Sequence, residues 1–169
     1  MPNKKRKRHK VKNRLTQVRQ VNLVRNGGFE TGVFSPWTPT GNVFIGRTNP
    51  RTGTFEALFT PQSGDRPAFL SQIIFFNPPL RDLYRLRFFV YTPSSTGVLQ
   101  INFRNSAIPS RTLPLVSIPR SSYRGYSIVF PSSQLRGASL ELEFVVSSGA
   151  PMSSLLFLDD VSITPVIVG

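Results

Sequence analysis

The chain has 169 residues, of which 39% are hydrophobic and 17% charged, and it contains 14 Phe, 15 Pro and 12 Gly. This composition suits one folded domain rich in strands and turns, and it argues against a disordered chain and a helical bundle. The chain has no cysteine and only one histidine, His9, which excludes disulfides, thiolate metal sites, cysteine nucleophiles and multi-histidine sites.

The first 20 residues form a strongly basic segment. The net charge of the chain is +13, and this segment holds nine basic residues and no acidic one, whereas the remainder holds 12 arginines and eight acidic residues. The basic residues are Lys4, Lys5, Arg6, Lys7, Arg8, Lys10, Lys12, Arg14 and Arg19. We therefore divide the chain into a basic N-terminal arm, residues 1–20, and a domain over residues 21–169.

Three interpretations of this arm are open. Its charge and low apolar content are typical of a disordered, solubilising tail. Alternatively, it binds nucleic acid, with a log-log salt slope near about −8 on duplex DNA, as in small viral capsid proteins that place a basic arm before a jelly roll. In the third interpretation, Val11, Leu15 and Val18 let the arm dock on a neighbouring subunit as an added strand or in a groove, which predicts a homo-oligomer or polymer.

After the arm, short apolar segments alternate with turn-forming clusters, which leaves little room for helices. A period of two is clear at Leu86, Phe88 and Val90, and it recurs in residues 99–103 and 140–146. We predict strands near residues 21–24, 43–47, 55–60, 69–76, 85–91, 99–103, 111–118, 126–130, 140–146 and 155–163. Ten strands at this spacing predict an all-β fold, an antiparallel two-sheet β-sandwich of the jelly-roll kind.

Export and membrane signals are weak in this sequence. No stretch of about 18 apolar residues occurs, so we predict no membrane span. The basic arm is not followed by the apolar region of a signal peptide, so export by a cleaved peptide is not predicted.

Several segments, in order, resemble the strands of galactose-binding-like carbohydrate-binding modules. Residues 22–37, NLVRNGGFETGVFSPW, have the family's N-L-hydrophobic-x-N-G-x-F-E opening followed by a tryptophan. Further matching segments lie at residues 52–59, 69–75, 84–92 and 155–163. The resemblance implies a jelly roll over roughly residues 21–165, and it is strongest to modules on bacterial spore-surface and exosporium proteins. A shared fold says much less about the ligand.

The resemblance also implies a structural calcium ion. In the family, the acid of the F-E pair and an acid of the closing D-D-V segment help to hold Ca²⁺, which ties the first strand to the last. The matching positions here are Glu30 and Asp160, with Asp159 as a substitute. Ca²⁺ requires six to eight oxygen ligands, some of which backbone carbonyls can supply. The alternative is that these acids are turn and strand-end residues paired with arginine.

The resemblance further implies that exposed aromatic side chains stack on sugar rings. The candidate ligand-binding residues are Trp37, Arg87, Phe89, Tyr91, Tyr123 and Tyr126. Packing is the alternative role for each aromatic residue, and a solvated surface charge is the alternative for Arg87. Tyr123 stands where the family has a tryptophan, a departure that weakens any transfer of function.

Catalysis is not predicted. Glu141 and Glu143 are regularly spaced carboxylates on one strand face, roughly 7 Å apart, which is within the range of glycosidase pairs. Their alternation with buried positions instead indicates the solvent side of a strand, where glutamate discourages edge pairing. No nucleophile elbow, phosphate loop or zinc-protease motif occurs.

The sequence leads to three functional hypotheses. The first is a non-catalytic structural subunit of an extracellular or spore-surface assembly, such as a fibre, in which the arm makes intersubunit or anchoring contacts. The second is a carbohydrate-binding module that recognises a surface or wall glycan. The third is a small capsid protein whose arm binds nucleic acid.

Overall fold

A computed structural model of the chain describes residues 21–62, 64, 66–77, 81–149 and 154–166. The basic arm, with its nine predicted polyanion-binding residues, lies outside the described residues. The boundary at residue 20 and the three interpretations of the arm therefore stay predictions.

Within the described residues, ten strands form two antiparallel five-stranded sheets. The strands are β1 (Thr38–Thr40), β2 (Val43–Gly46), β3 (Glu56–Phe59), β4 (Ala68–Phe75), β5 (Leu83–Tyr91), β6 (Val98–Arg104), β7 (Arg111–Pro114), β8 (Arg124–Pro131), β9 (Ser139–Ser147) and β10 (Leu156–Pro165). Sheet A has the order β1-β4-β9-β6-β7, and sheet B has the order β2-β3-β10-β5-β8. Single 3₁₀ turns follow β7 and β8, at Leu115–Ser117 and Ser132–Gln134.

The alternation along the strands produces the sandwich. On β5, Leu86, Phe88 and Val90 are fully buried, whereas Arg85 and Arg87 are exposed. The inner faces of the two sheets meet in one core, whose largest fully buried side chains are phenylalanines: Phe29, Phe59, Phe76, Phe88, Phe130 and Phe144. This arrangement confirms the predicted all-β, two-sheet antiparallel sandwich.

The predicted first strand is wrong. Residues 21–24 form no strand: one backbone hydrogen bond joins the Leu23 N–H to the Ile163 carbonyl of β10 at 2.8 Å, and side chains take the neighbouring places of a ladder. The Asn22 Oδ1 atom accepts hydrogen bonds from the backbone of Val24 and Ile163, both at 3.0 Å. The buried Gln72 side-chain amide forms two hydrogen bonds with the backbone of Arg25. It accepts the Arg25 N–H at 2.9 Å and donates to the Arg25 carbonyl at 2.8 Å. The segment is thus tied to both sheets without joining either.

The other corrections concern the edges of sheet A. The short edge strand β1 was not predicted, because its TPT sequence has a proline and no apolar alternation. The strand predicted over residues 111–118 ends at Pro114, which has no N–H to donate and is followed by a 3₁₀ turn. Among the described residues, no helix is long and apolar enough to cross a membrane.

Candidate functional site

The outer face of sheet B carries most of the aromatic residues predicted to bind ligand. Along β5, Arg85, Arg87, Phe89 and Tyr91 point away from the core, as predicted. The Arg87 guanidinium carbon lies 4.8 Å from the centre of the Phe89 ring, and that of Arg51 lies 3.5 Å from it. The Phe89 ring is therefore already in contact with two cations.

Tyr91 and Tyr123 are half-buried and pack against each other, with ring centres 5.9 Å apart. The Tyr123 hydroxyl donates to the carbonyl of Asn49 at 2.8 Å, and Tyr91 also contacts Phe157 at 5.3 Å between ring centres. Burial, and then the negative charge of Asp159, raises the pKa of the Tyr123 phenol. The structure thus brings Phe89, Tyr91 and Tyr123 together beneath the loop of residues 47–55, which we call the 47–55 loop.

Trp37 and Tyr126 lie apart from this group. Trp37 is 3% exposed, its indole N–H donates to the Asn26 carbonyl at 3.1 Å, and its ring contacts Phe29 and Phe144. A sugar ring has no access to it, so its place in the fold is that of a packing residue. Tyr126 is half-buried and stacks on the core residue Phe88, with ring centres 5.7 Å apart. The ligand roles of Arg87, Phe89, Tyr91, Tyr123 and Tyr126 stay predictions.

The acids predicted to bind calcium fasten the 47–55 loop. The Glu30 carboxylate accepts the backbone N–H groups of Thr54 and Phe55 at 3.0–3.1 Å. Asp159 is fully buried and accepts the N–H groups of Arg51 and Thr52 at 2.9 and 3.2 Å. Asp160, in a left-handed conformation at a bulge of β10, accepts the Thr52 hydroxyl at 2.8 Å and forms an ion pair with Arg51.

These contacts do not fit a calcium ligand set. Around the three carboxylates, the named partners are N–H groups, a hydroxyl and a guanidinium, whereas Ca²⁺ needs converging oxygen atoms. Among the described residues, no group of three acidic or histidine side chains is placed to hold a metal ion. Arg51 supplies the positive charge beside Asp160 instead. Calcium binding stays a prediction that a titration must test.

Two buried carboxylates lie under the same loop. Glu56 is fully buried, and its Oε1 atom accepts the N–H groups of Thr48 and Asn49 at 3.1 and 3.2 Å, while its Oε2 atom has no partner among the described residues. Burial raises the pKa of the Asp159 carboxyl to about 6, against the lowering effect of its backbone hydrogen bonds. At this end of sheet B, most of the polar atoms named above therefore already have hydrogen-bond partners within the protein.

The outer face of sheet A is arranged differently. At its centre, Glu143 on β9 is 6% exposed, and its side chain is held by two residues of β6. The Asn102 amide donates to Glu143 Oε2 at 2.7 Å, and the Arg104 Nε–H donates to Oε1 at 3.0 Å. The hydrogen bond that Arg104 donates to Glu143, and then the negative charge of Glu143, raise the pKa of Arg104. These contacts hold the three polar side chains together across β6 and β9.

Large apolar side chains are exposed on the same outer face as this polar network. Phe75 and Ile73, outward residues of β4, are 63% and 59% exposed. One cavity of ≈ 540 Å³ contains both of them together with Glu141, and a second of ≈ 590 Å³ contains Phe69, Gln100, Asn102 and Arg104. An open face that combines an exposed aromatic ring and an exposed aliphatic side chain with fixed amide and charged groups matches the chemistry of a ligand-binding surface.

Sequence reasoning missed this face. It placed Glu141 and Glu143 on one strand face, but the proposed role against edge pairing is wrong, because β9 is the central strand of sheet A, between β4 and β6. Two signals were present. Residues 69–76 carry apolar side chains at most positions of both strand faces, and Gln100, Asn102 and Arg104 form a polar row on β6, on the other side of β9.

The sandwich belongs to the same fold class as carbohydrate-binding modules. A family 61 module solved with β-1,4-galactotriose is similar with a TM-score of 0.67 and 20% identity, covering 85% of this chain and 97% of that one. A family 16 module is similar with a TM-score of 0.64 and 15% identity, over 84% and 99% of the two chains. The Stig cyclase Fisc from Fischerella sp. TAU is similar as well, with a TM-score of 0.62 and 15% identity over 86% and 97%.

The sequence itself matches no protein family and no curated protein. Because these structural neighbours share at most 20% sequence identity with the chain, the similarity establishes the fold alone. The predicted galactose-binding-like jelly roll is therefore confirmed as a fold.

Proposed function

We propose that this protein is a non-catalytic glycan-binding module that holds a polysaccharide chain across the outer face of sheet A. The observation that carries the proposal is a row across sheet A, in which the exposed Ile73 of β4 is paired with Glu141 of β9 and Glu141 with Arg104 of β6. The exposed Phe75 lies two residues further along β4, and Glu143 fixes Arg104 and Asn102 on the other side of the row. Sugar rings present C–H faces that stack on aromatic rings and hydroxyls that need fixed donors and acceptors. This face offers both in one place.

The polar network suits binding better than catalysis. A glycosidase of either type needs one carboxylic acid that can give up a proton to the leaving group. Both oxygens of Glu143 accept hydrogen bonds, from Asn102 and from Arg104, so this side chain is arranged as an acceptor. Because Glu143 is only 6% exposed and both of its oxygens are engaged, it has no open side from which to act on a sugar as nucleophile or base. This supports a binding role.

The structural neighbours support the same class of function. The family 61 module was solved with a β-1,4-galactotriose, and the family 16 neighbour is also a carbohydrate-binding module. The cyclase shows that the fold also carries enzymes. An extracellular location suits the proposed glycan ligand, and the spore-surface location stays a prediction. The structural-subunit and capsid hypotheses depend on the basic arm, and they stay predictions.

A pair of matched variants tests the proposal. Binding to β-1,4-galactan, xylan and amorphous cellulose would be screened by affinity electrophoresis, and the best ligand would be titrated by calorimetry. Phe75→Ala should weaken binding by about tenfold or more, since a stacked ring contributes about 1.5–3 kcal/mol. Phe44→Ala is the control, because Phe44 is 52% exposed on the edge strand β2 of sheet B. Equal losses in both variants, or no binding to any neutral polysaccharide, would contradict the proposal.

A further inference from the structure

We propose a second binding site, on the outer face of sheet B, where Arg85 and Arg87 bind the carboxylate or sulfate groups of an acidic polysaccharide. The site is separate from the glycan-binding face of sheet A and does not depend on it. Both arginines are exposed, and they occupy neighbouring outward positions of β5, about 7 Å apart along the strand. They line a cleft of ≈ 380 Å³ together with Gly125, Tyr126, Ser127 and Val129.

The positive charge of this cleft is uncompensated. Among the described residues, the two ion pairs join Arg51 to Asp160 and Arg104 to Glu143, so neither Arg85 nor Arg87 has an acidic partner. Asp159, opposite Phe89 on the same face, is buried and accepts backbone N–H groups, and Asp160 is taken by Arg51. The exposed Asp82, three residues before Arg85, forms no ion pair with it among the described residues. An arriving anion would therefore meet two free guanidinium groups.

The cross-strand neighbours are uncharged. Opposite Arg87 stand Ser127 of β8 and Ser162 of β10, and opposite Arg85 stand Val129 and Thr164. Their hydroxyls can add hydrogen bonds to a bound oxyanion without repelling it. The row therefore combines two planar cations with short hydroxyl donors, which is suited to carboxylate and sulfate oxygens.

The position of Arg87 is supported from below. Its guanidinium carbon lies 4.8 Å from the centre of the Phe89 ring, which is itself confined by the strand beside it. A Cβ atom on Gly125 would lie only 2.7 Å from that ring, so the glycine lets Phe89 lie flat against β8. A guanidinium that stacks on a fixed ring loses less freedom when it binds.

The same geometry favours a polysaccharide over nucleic acid. Binding of single-stranded nucleic acid uses aromatic faces on which bases stack, in addition to phosphate contacts. On this face the Phe89 ring already contacts Arg51 and Arg87, and Tyr91 packs against Tyr123 and Phe157. What remains open is a short cationic row, which fits single acidic groups along a polymer.

The test uses the full chain and two pairs of neutralised arginines. Arg85→Gln with Arg87→Gln removes the proposed site, and Arg120→Gln with Arg136→Gln is the control, because these two exposed arginines lie off the cleft and give the same change in net charge. Affinity for polygalacturonate and dextran sulfate would be measured by calorimetry, with uncharged dextran and single-stranded RNA as comparison polymers. Circular dichroism and melting temperature would verify folding of each variant.

We expect the Arg85/Arg87 pair to weaken binding of the acidic polysaccharides by at least about tenfold. The control pair should change it by less than about twofold, and glycan binding on sheet A should be unchanged in both. Arg85→Lys with Arg87→Lys should give an intermediate loss, because lysine keeps the charge but not the planar pair of donors. Similar losses in the two glutamine pairs would show general charge attraction only. No loss, or a loss confined to RNA, would likewise overturn the assignment.

Discussion

The two outer faces of the sandwich arise from the same alternation of side chains, yet one is open and the other is half covered. On sheet A, Phe75 and Ile73 are left exposed beside a fixed polar network. On sheet B, the 47–55 loop lies over Phe89 and Asp159. Its Arg51 guanidinium packs on the Phe89 ring, and the Asp159 carboxylate accepts the N–H groups of Arg51 and Thr52. The comparison shows that an outward-facing aromatic residue indicates a binding surface only where no loop of the same chain already packs against it.

The largest expected effect is on stability, and it should distinguish a core aromatic residue, Trp37, from an exposed one, Phe75. Trp37→Ala should lower the free energy of unfolding by about 3–5 kcal/mol, because it leaves a cavity against Phe29 and Phe144. Phe75→Ala should cost less than about 0.5 kcal/mol, since its ring is mostly in water. Urea denaturation of both variants measures the two values. A comparable destabilisation by Phe75→Ala would show that its ring is needed for packing.

Through Asp159, the fold should become more stable as the pH falls, which is the opposite of the usual effect of a carboxyl group in a folded protein. Asp159 has a pKa raised from 3.8 to about 6, so between these values the folded protein binds more protons than the unfolded chain. Lowering the pH through this window should therefore stabilise the fold through this group, by at most about 3 kcal/mol. Other carboxylates act as well, so the quantity to measure is the difference between wild type and Asp159→Asn across the pH range. A difference that does not change with pH would remove this role of Asp159.

The fastening of the 47–55 loop should be measurable at neutral pH. Asp159→Ala leaves the N–H groups of Arg51 and Thr52 without their acceptor but also removes a buried charge, so we expect a net loss of about 1–2 kcal/mol. Limited proteolysis should then cut within residues 47–55. The matched control is Asp82→Ala, an exposed acid before β5. Weakened glycan binding on sheet A would contradict the independence of the two faces.

The smallest expected effect concerns calcium. Because the guanidinium of Arg51 already pairs with Asp160, we expect millimolar Ca²⁺ to change the melting temperature by less than about 1 °C. Saturation of a true site at a hundred times its dissociation constant would add about 2.7 kcal/mol, which is several degrees. A rise of that size, lost in Glu30→Gln, would contradict this expectation and support the calcium site that the family resemblance implies.

Much of the fold was predictable because alternation reports burial directly. The inward rows of β5, β6 and β9 are apolar at every second residue, and the structure buries them. The first segment was mispredicted because Asn22 and Gln72 bind backbone groups with their side chains, which hydrophobic pattern does not reveal. The strand β1 was missed because its position depends on pairing with β4 and not on its own sequence.

The candidate site was harder to predict than the fold. Aromatic side chains were identified by type, but type does not say whether a distant loop will cover them, as the 47–55 loop covers Phe89 and Tyr123 packs against Asn49. Glu143 lies 41 positions from Asn102, so their contact follows from the neighbouring positions of β6 and β9 in sheet A. Single-sequence patterns contain no information on that adjacency.

The most direct test of the central claim is a map of backbone amide chemical shifts on adding the glycan that binds best. A ligand held across sheet A should shift the amides of β4, β6 and β9, with the largest changes near Phe75, Asn102 and Arg104. Shifts confined to the 47–55 loop and to β5, with sheet A unchanged, would contradict the account.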